Sequence, residues 1–179
     1  MFNPDHCVLL VIDIQGKLAS VMHEKEQLFK NAAIMIEAAH ILGIPILWTE
    51  QVPAKVGETV SEIVRFLPNI QPIEKESFSC YPNKRFREAL SALNRKQILV
   101  TGIETHVCVY QTVADLLDDE YEVQIIGDAV SSRAKENKGI GLTRMQVLGA
   151  NITSTEMILC ELIKTSEHKN FKSILNLIK

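Results

Sequence analysis

The sequence predicts an α/β protein: a three-layer α/β/α, Rossmann-like arrangement with a parallel sheet of about six strands. Short apolar, β-branched runs alternate along the chain with longer stretches of helical spacing. Runs such as 8–13 and 97–101 are apolar almost without interruption, as strands buried on both faces are. No Pro/Gly/Ser-rich linker, internal repeat or low-complexity stretch breaks the alternation, so one domain over 1–179 is expected.

Each element has its own signal. Residues 8–13, VLLVID, form the first strand, and a long helix runs from about His23 to Leu42, stopped by Gly43 and barred from continuing by Pro45. Residues 44–49 form the second strand. The stretch 51–68 carries only a short helical pattern around 58–66 and is expected to form the rim of a pocket. The segment 70–75, IQPIEK, yields a short third strand at 73–75, followed by a helix over 83–93 with Asn83 as its N-cap. Residues 97–101 read as a buried strand, Gly102 permits a sharp turn, and helical spacing resumes over 109–117. A strand at 121–126, a helix at 136–148 and a short strand at 151–153 follow. From Thr155 the chain is helical to its end, with a break near His168. Strands joined by helical crossovers lie parallel, with helices covering both faces.

At 179 residues, 46% hydrophobic and 23% charged, the chain can bury one sizeable core but is short for two. A formal net charge of -3 gives no electrostatic reason to expect nucleic acid or a membrane surface as partner. Cys7, Cys80, Cys108 and Cys160 form no CxxC pair and no disulfide framework, which suits free thiols in a reducing compartment. The first apolar run is too short and too soon acidic for a signal peptide or membrane span, so a cytoplasmic protein is expected.

Three strand ends carry candidate chemistry. Cys108 falls at the start of a helix, where free N–H groups and the positive end of the helix dipole lower a thiol pKa and can cradle an oxyanion. Read alone, it serves equally well as a small buried hydrophobe. Asp13 closes the first strand and lies at the carboxyl edge of the sheet, where open α/β sheets bind ligands, although a capping or solvated carboxylate is as good a reading of it alone. Lys75 by itself reads as a surface charge. An acid, a lysine and a helix-start cysteine, each closing a separate strand, can converge on one pocket.

These residues resemble the isochorismatase-like cysteine hydrolases, a family that includes nicotinamidases and N-carbamoyl and other amide hydrolases. The similarity runs from VIDIQ at 11–15 to DAVSSR at 128–133, through Gly102-Ile103-Glu104-Thr105-His106-Val107-Cys108-Val109. It implies a catalytic triad of Asp13, Lys75 and Cys108, the strand order 3-2-1-4-5-6 and a homo-oligomer, for which the apolar helix around NAAIMIEAAHILG offers a candidate surface. It also implies a cis peptide at Ile103–Glu104, which would aim the Glu104 N–H, beside that of Cys108, at one oxyanion. No metal or other cofactor is expected, because the nicotinamidase metal site has no counterpart here: the region after the second strand reads TEQVP, and no histidine occurs between His40 and His106. The vinyl-ether hydrolysis of true isochorismatases needs no cysteine nucleophile, so Cys108 points toward acyl or carbamoyl chemistry on a small molecule. EQVP, KESFSC and GIETHVCV look most like the isochorismatase-domain-containing subgroup.

The expected pocket walls are Gln15, Leu18, Trp48, Gln51, Phe78, His106 and Val107. Trp48 has a core reading beside this one, and His106 equally reads as a structural or exposed histidine. The alternative from another class is a non-catalytic binding or scaffold protein that retains the fold. A nucleotide-binding protein is disfavoured because the turn after the first strand reads DIQGK rather than a glycine-rich phosphate loop.

Overall fold

The computed structural model describes residues 1–179. Its centre is a six-stranded parallel sheet in the order β3-β2-β1-β4-β5-β6. The strands are β1 (Cys7–Ile12), β2 (Ile46–Gln51), β3 (Ile73–Lys75), β4 (Gln97–Ile103), β5 (Glu122–Ser131) and β6 (Asn151–Thr153). Between and after them lie α1 (Gly16–Ser20), α2 (Lys25–Leu42), α3 (Pro53–Val56), α4 (Ser61–Val64), α5 (Lys84–Ala92), α6 (Tyr110–Asp118), α7 (Lys135–Val147), α8 (Thr155–Ile163) and α9 (Phe171–Leu177).

Every residue of β1 is buried, as a central parallel strand covered on both faces requires. Alternate side chains feed two cores. Leu9 and Val11 point into a cluster closed by α2, α8 and α9. Val8, Leu10 and Ile12 point into a second one, which takes Phe86 and Leu90 from α5, Val113 and Leu116 from α6 and Met145 from α7.

The helix α2 starts at Lys25 rather than at His23 and ends where expected, with Gly43 at a left-handed φ of 68°. Most of its apolar residues, among them Leu28, Met35 and Ile36, are buried against the sheet, so it offers no free apolar face for a second copy. The Asn83 cap is made: its side chain accepts from Phe86 N at 3.0 Å. The rim segment holds two short turns, α3 and α4, instead of one. The terminal helix is interrupted from Lys164, at a φ of 62°, to Asn170, four residues earlier than expected.

The last strands differ from expectation in a way that shapes the site. Strand β5 runs five residues past Ile126 because its pairing with β4 shifts register between Val100 and Gly102 and resumes at Gly102↔Val130. Such an irregularity re-aims a strand end. Gly102 is held at φ 135°, and a Cβ there would lie 2.2 Å from the Ile12 carbonyl oxygen. Only glycine lets β4 approach β1 this closely.

Candidate active site

Asp13 and Lys75 meet at the carboxyl edge of the sheet. Asp13 follows the last residue of β1 with a φ of 51°, a left-handed conformation that Asp tolerates better than most residues. The turn is fixed by Asp13 N donating to the Thr49 carbonyl (3.2 Å) and Gln15 N donating to the Asp13 carbonyl (2.8 Å). Lys75, the last residue of β3, crosses beneath β2 to reach the carboxylate. Its Nζ donates to Asp13 Oδ2 at 2.5 Å, with a side chain 0% exposed. The same ammonium has Gln51 Oε1 at 2.7 Å and the carbonyls of Ser77 and Phe78 at 3.2 and 3.0 Å. Three N–H groups among four acceptors leave no donor for a ligand. A buried charge needs this degree of satisfaction.

Cys108 lies opposite. The chain leaves β4 through a cis Ile103–Glu104 peptide and enters a π-type turn, Thr105–Val109, before α6 begins. Cys108 is therefore in a wide turn ahead of the α-helix and not in its first turn. Glycine is needed at Gly141 as well, since a Cβ there would sit 2.9 Å from the Thr105 carbonyl oxygen, so α7 presses directly on this turn. The Glu104 carbonyl accepts from Val107 N and Val109 N, whereas the Glu104 N–H makes no hydrogen bond within the chain.

The Cys108 thiol is not the acidic group that a helix start suggests. Burial, first, and then the neighbouring Asp13 carboxylate and its hydrogen bond push the thiol well above its ordinary range, and Lys75 only partly opposes them. Cys108 is 8% exposed. At neutral pH it is a thiol beside a carboxylate that can take its proton.

The side chains expected to wall a pocket divide by role. Gln15 is buried and braces the rim: its Nε2 donates to the Gly57 carbonyl at 2.6 Å and its Oε1 accepts from Gln51 N at 2.6 Å. Gln51 holds Lys75 through Oε1 and donates from Nε2 to the Glu76 carbonyl at 2.6 Å. The Gln15 amide hydrogens are both engaged, the second on the Gln51 carbonyl at 3.3 Å, whereas half-buried Gln51 keeps one Nε2 N–H to offer. Trp48 is 4% exposed in the core on the α2 side of the sheet, away from the cluster that contains Cys108, and Leu18 packs against that same α2-side core. For Trp48 strand alternation gives the reason, since it pairs in register with Val11, whose side chain faces α2; Leu18 lies in α1. Phe78 is 55% exposed on the rim. His106 and Val107 are half-buried in the turn, and His106 Nδ1 lies 3.0 Å from Ser132 Oγ.

Three side chains outside the expected pocket walls also contribute, and of these only Thr49 was wholly missed in the sequence. Thr49 Oγ1 donates to Asp13 Oδ1 at 2.7 Å; a hydroxyl at the carboxyl end of an apolar strand was its only signal. Cys80 is fully buried, with Sγ 3.7 Å from Thr49 Oγ1. The Glu104 side chain accepts from Arg133 N at 3.0 Å and from Arg133 Nε at 3.2 Å, tying the turn to the end of β5. Beside Lys75 a cleft of about 920 Å³ opens, lined by α3, the 74–77 segment and Asn83, with Glu58, Glu74 and Glu76 among its walls.

Comparison with known proteins agrees with this architecture. The family model "Isochorismatase domain" matches residues 7–157. A secreted isochorismatase effector of Phytophthora sojae is 37% identical, over 98% of this chain and 86% of its own. Isochorismatase domain-containing protein 2 of Rattus norvegicus is 35% identical over 98% of this chain and 82% of its own. Among solved structures, one described as the MAR1 ribonuclease of Caenorhabditis elegans superposes with a TM-score of 0.93 at 34% identity, covering 99% of this chain and 91% of that one. The YcaC gene product of Escherichia coli, described as an octameric hydrolase of unknown specificity, shares the fold with a TM-score of 0.91 at 21% identity, over 99% and 88% of the two chains. The shared fold is that of a hydrolase family.

Proposed function

This chain belongs to the isochorismatase family, and from that premise we propose that it is a cysteine-dependent hydrolase of a small amide, carbamoyl or related acyl compound. The observation that carries the reading is the pairing of a buried thiol pushed up by its surroundings with a carboxylate gripped by a buried ammonium. A standing thiolate would need no base. This thiol needs one, and Asp13 is the group beside it.

In the proposed cycle Asp13 takes the Cys108 proton as sulfur attacks the carbonyl carbon. Charge moves to the carbonyl oxygen, where the Glu104 N–H, which has no acceptor in the chain, and the Cys108 N–H receive it. Protonated Asp13 returns its proton to the departing amine. A water activated by Asp13 then cleaves the thioester, and the Cys108 thiol is regenerated. Lys75 touches neither substrate nor sulfur in this scheme; its charge holds Asp13 in place and offsets the negative charge that appears on sulfur. The burial of Cys108, 8% exposed, is in keeping with a small substrate, and His106, Val107 and Phe78 are the proposed wall residues.

A ribonuclease reading is supported by the descriptions of the C. elegans structure and of two Leishmania structures. Against it stand a net charge of -3, carboxylates along the cleft beside Lys75 and a lysine with no donor left for phosphate. Self-association is part of the proposal too. Its support is the apolar surface of α7 and the residue after it, where Ile140, Val147 and Leu148 are exposed. No helix is long and apolar enough to cross a membrane, and the four free cysteines suit a reducing compartment.

The experiment is hydrolysis of a panel of small amides, carbamoyl compounds and esters by the wild-type chain and by Cys108→Ala, with a single-stranded RNA in the same panel. Turnover of an acyl substrate that vanishes in Cys108→Ala supports the reading. Cleavage of RNA alone, or acyl turnover unchanged by Cys108→Ala, rejects it.

A further inference from the structure

Asp13 is held at both carboxylate oxygens, and only one of the two donors is charged. Lys75 occupies Oδ2. Oδ1 accepts from the Thr49 hydroxyl at 2.7 Å, on a residue 1% exposed. That hydroxyl has a donor of its own, since Cys80 Sγ lies 3.7 Å from Thr49 Oγ1 in donating geometry. Cys80 is in turn fixed by its backbone N–H, which donates to Thr112 Oγ1 at 2.9 Å, one helical turn beyond Cys108. Burial, and after it the Asp13 charge, push the Cys80 thiol up to about 12, so it keeps its proton through the neutral range. A hydroxyl has one proton to give. With a thiol directed at its lone pair, that proton goes to Asp13.

We propose that Thr49, oriented by Cys80, is a positioning residue that favours the carboxylate form of Asp13 and thereby keeps Cys108 a thiol until a substrate arrives. The inference rests on the proposed role of Asp13 as the acceptor of the Cys108 proton. A hydrogen bond donated to the charged form of an acid stabilises that form over the protonated one. Moving the Cys108 proton to Asp13 therefore works against the Thr49 hydrogen bond. Lys75 does not replace it, because its three N–H groups already serve four acceptors. Removal of the hydroxyl shifts the shared proton from sulfur toward oxygen and raises the thiolate population about tenfold, the effect of one hydrogen bond to a charged group.

The test is the rate of iodoacetamide labelling of Cys108 at pH 7, with sites assigned by mass spectrometry, in the wild type, Thr49→Val, Thr49→Ser and Asp13→Asn. Thr49→Val is expected to label about tenfold faster, whereas Thr49→Ser, which keeps the hydroxyl, stays within about twofold of wild type. Thr49→Ala answers the same question should the valine variant fail to fold. Labelling in the hydroxyl-free variants that is unchanged or slower overturns the inference. So does equal acceleration in Thr49→Ser, which would assign the effect to packing. If Asp13→Asn leaves Cys108 labelling at or below the wild-type rate, the reading of Asp13 fails and this one with it. If Asp13→Asn speeds labelling and Thr49→Val does not, only the assignment of Thr49 fails.

Discussion

Two ion pairs stand at the carboxyl edge of the sheet, one on each side of the strand that leads to Cys108. Lys75–Asp13 is dry, with side chains 0% and 4% exposed, and every ammonium proton is engaged. Glu104–Arg133 is half open: the carboxylate is 8% exposed but the arginine 63%. The two pairs are built from the same chemistry and do different work. A buried pair is neutral as a unit but leaves a stranded charge if one member is removed, whereas a pair reaching into solvent is screened and its loss is cheap. The dry side holds the groups that would move a proton. The open side holds the backbone turn that would receive an oxyanion, and its arginine only ties that turn to β5.

The largest separation between the two sides is expected in turnover. Asp13→Asn removes the proposed proton acceptor, so hydrolysis of any substrate found for the wild type falls roughly 10²–10⁴-fold. The same change removes a carboxylate that opposes the thiolate, so the pH midpoint of iodoacetamide labelling at Cys108 moves down. Turnover and labelling thus move in opposite directions; a parallel fall in both would break the proposed role of Asp13. Next in size is Lys75→Met, which leaves the buried carboxylate unpaired and is expected to destabilise the fold by about 3–5 kcal/mol, read as a lower urea midpoint. A loss under about 1 kcal/mol would put this pair on a level with the exposed one.

The dry side also carries an alkaline signature. Cys80, like Cys7 beneath the other end of the sheet, is pushed up to about 12 by burial. In the unfolded chain these thiols lose their protons near their ordinary value, while the folded chain keeps them. Stability is therefore present in full below about pH 8.5 and falls as pH rises toward 12, by about 1.4 kcal/mol per pH unit for each thiol. Urea midpoints between pH 8 and 11 are expected to fall less steeply in Cys80→Ala than in the wild type; identical slopes would mean that the buried thiol is not protonated there. The smallest effect belongs to the open pair. Arg133→Ala is expected to cost under about 1 kcal/mol, and less at high salt. A cost equal to that of Lys75→Met would erase the distinction between the two pairs.

What could be read from the chain is local. Val8 to Ile12 are apolar throughout, so they must be a covered strand, and the first polar residue after them, Asp13, must emerge at its end. The same reasoning placed Lys75 at the end of a short strand and Cys108 beyond one, before a helix, and the alternation of strands and helices required a parallel sheet. The order of the strands came through the resemblance of VIDIQ and GIETHVCV to a family, not from periodicity. What periodicity could not convey is which partner each side chain meets. Gln15 and Gln51 look like pocket residues because they lie at strand ends, yet they also meet the Gly57 carbonyl and Lys75 Nζ, brought near by loops whose closure no spacing encodes. Trp48 has a core and a pocket reading in sequence, and the register Val11↔Trp48 sends it to the α2 core.

The thiol of Cys108 makes the same point in energetic terms. Its place before a helix is visible in the sequence and argues for a lowered pKa, but desolvation depends on how much protein surrounds the sulfur, and the Asp13 charge depends on a contact across 95 residues of chain. Both raise it, and both exist only once β1 and β4 are neighbours. The identity of the reactive groups is local chemistry written in single residues. Their protonation, their donors and the roles of Thr49, Cys80 and Glu104 are properties of packing, and packing is decided by the whole sheet.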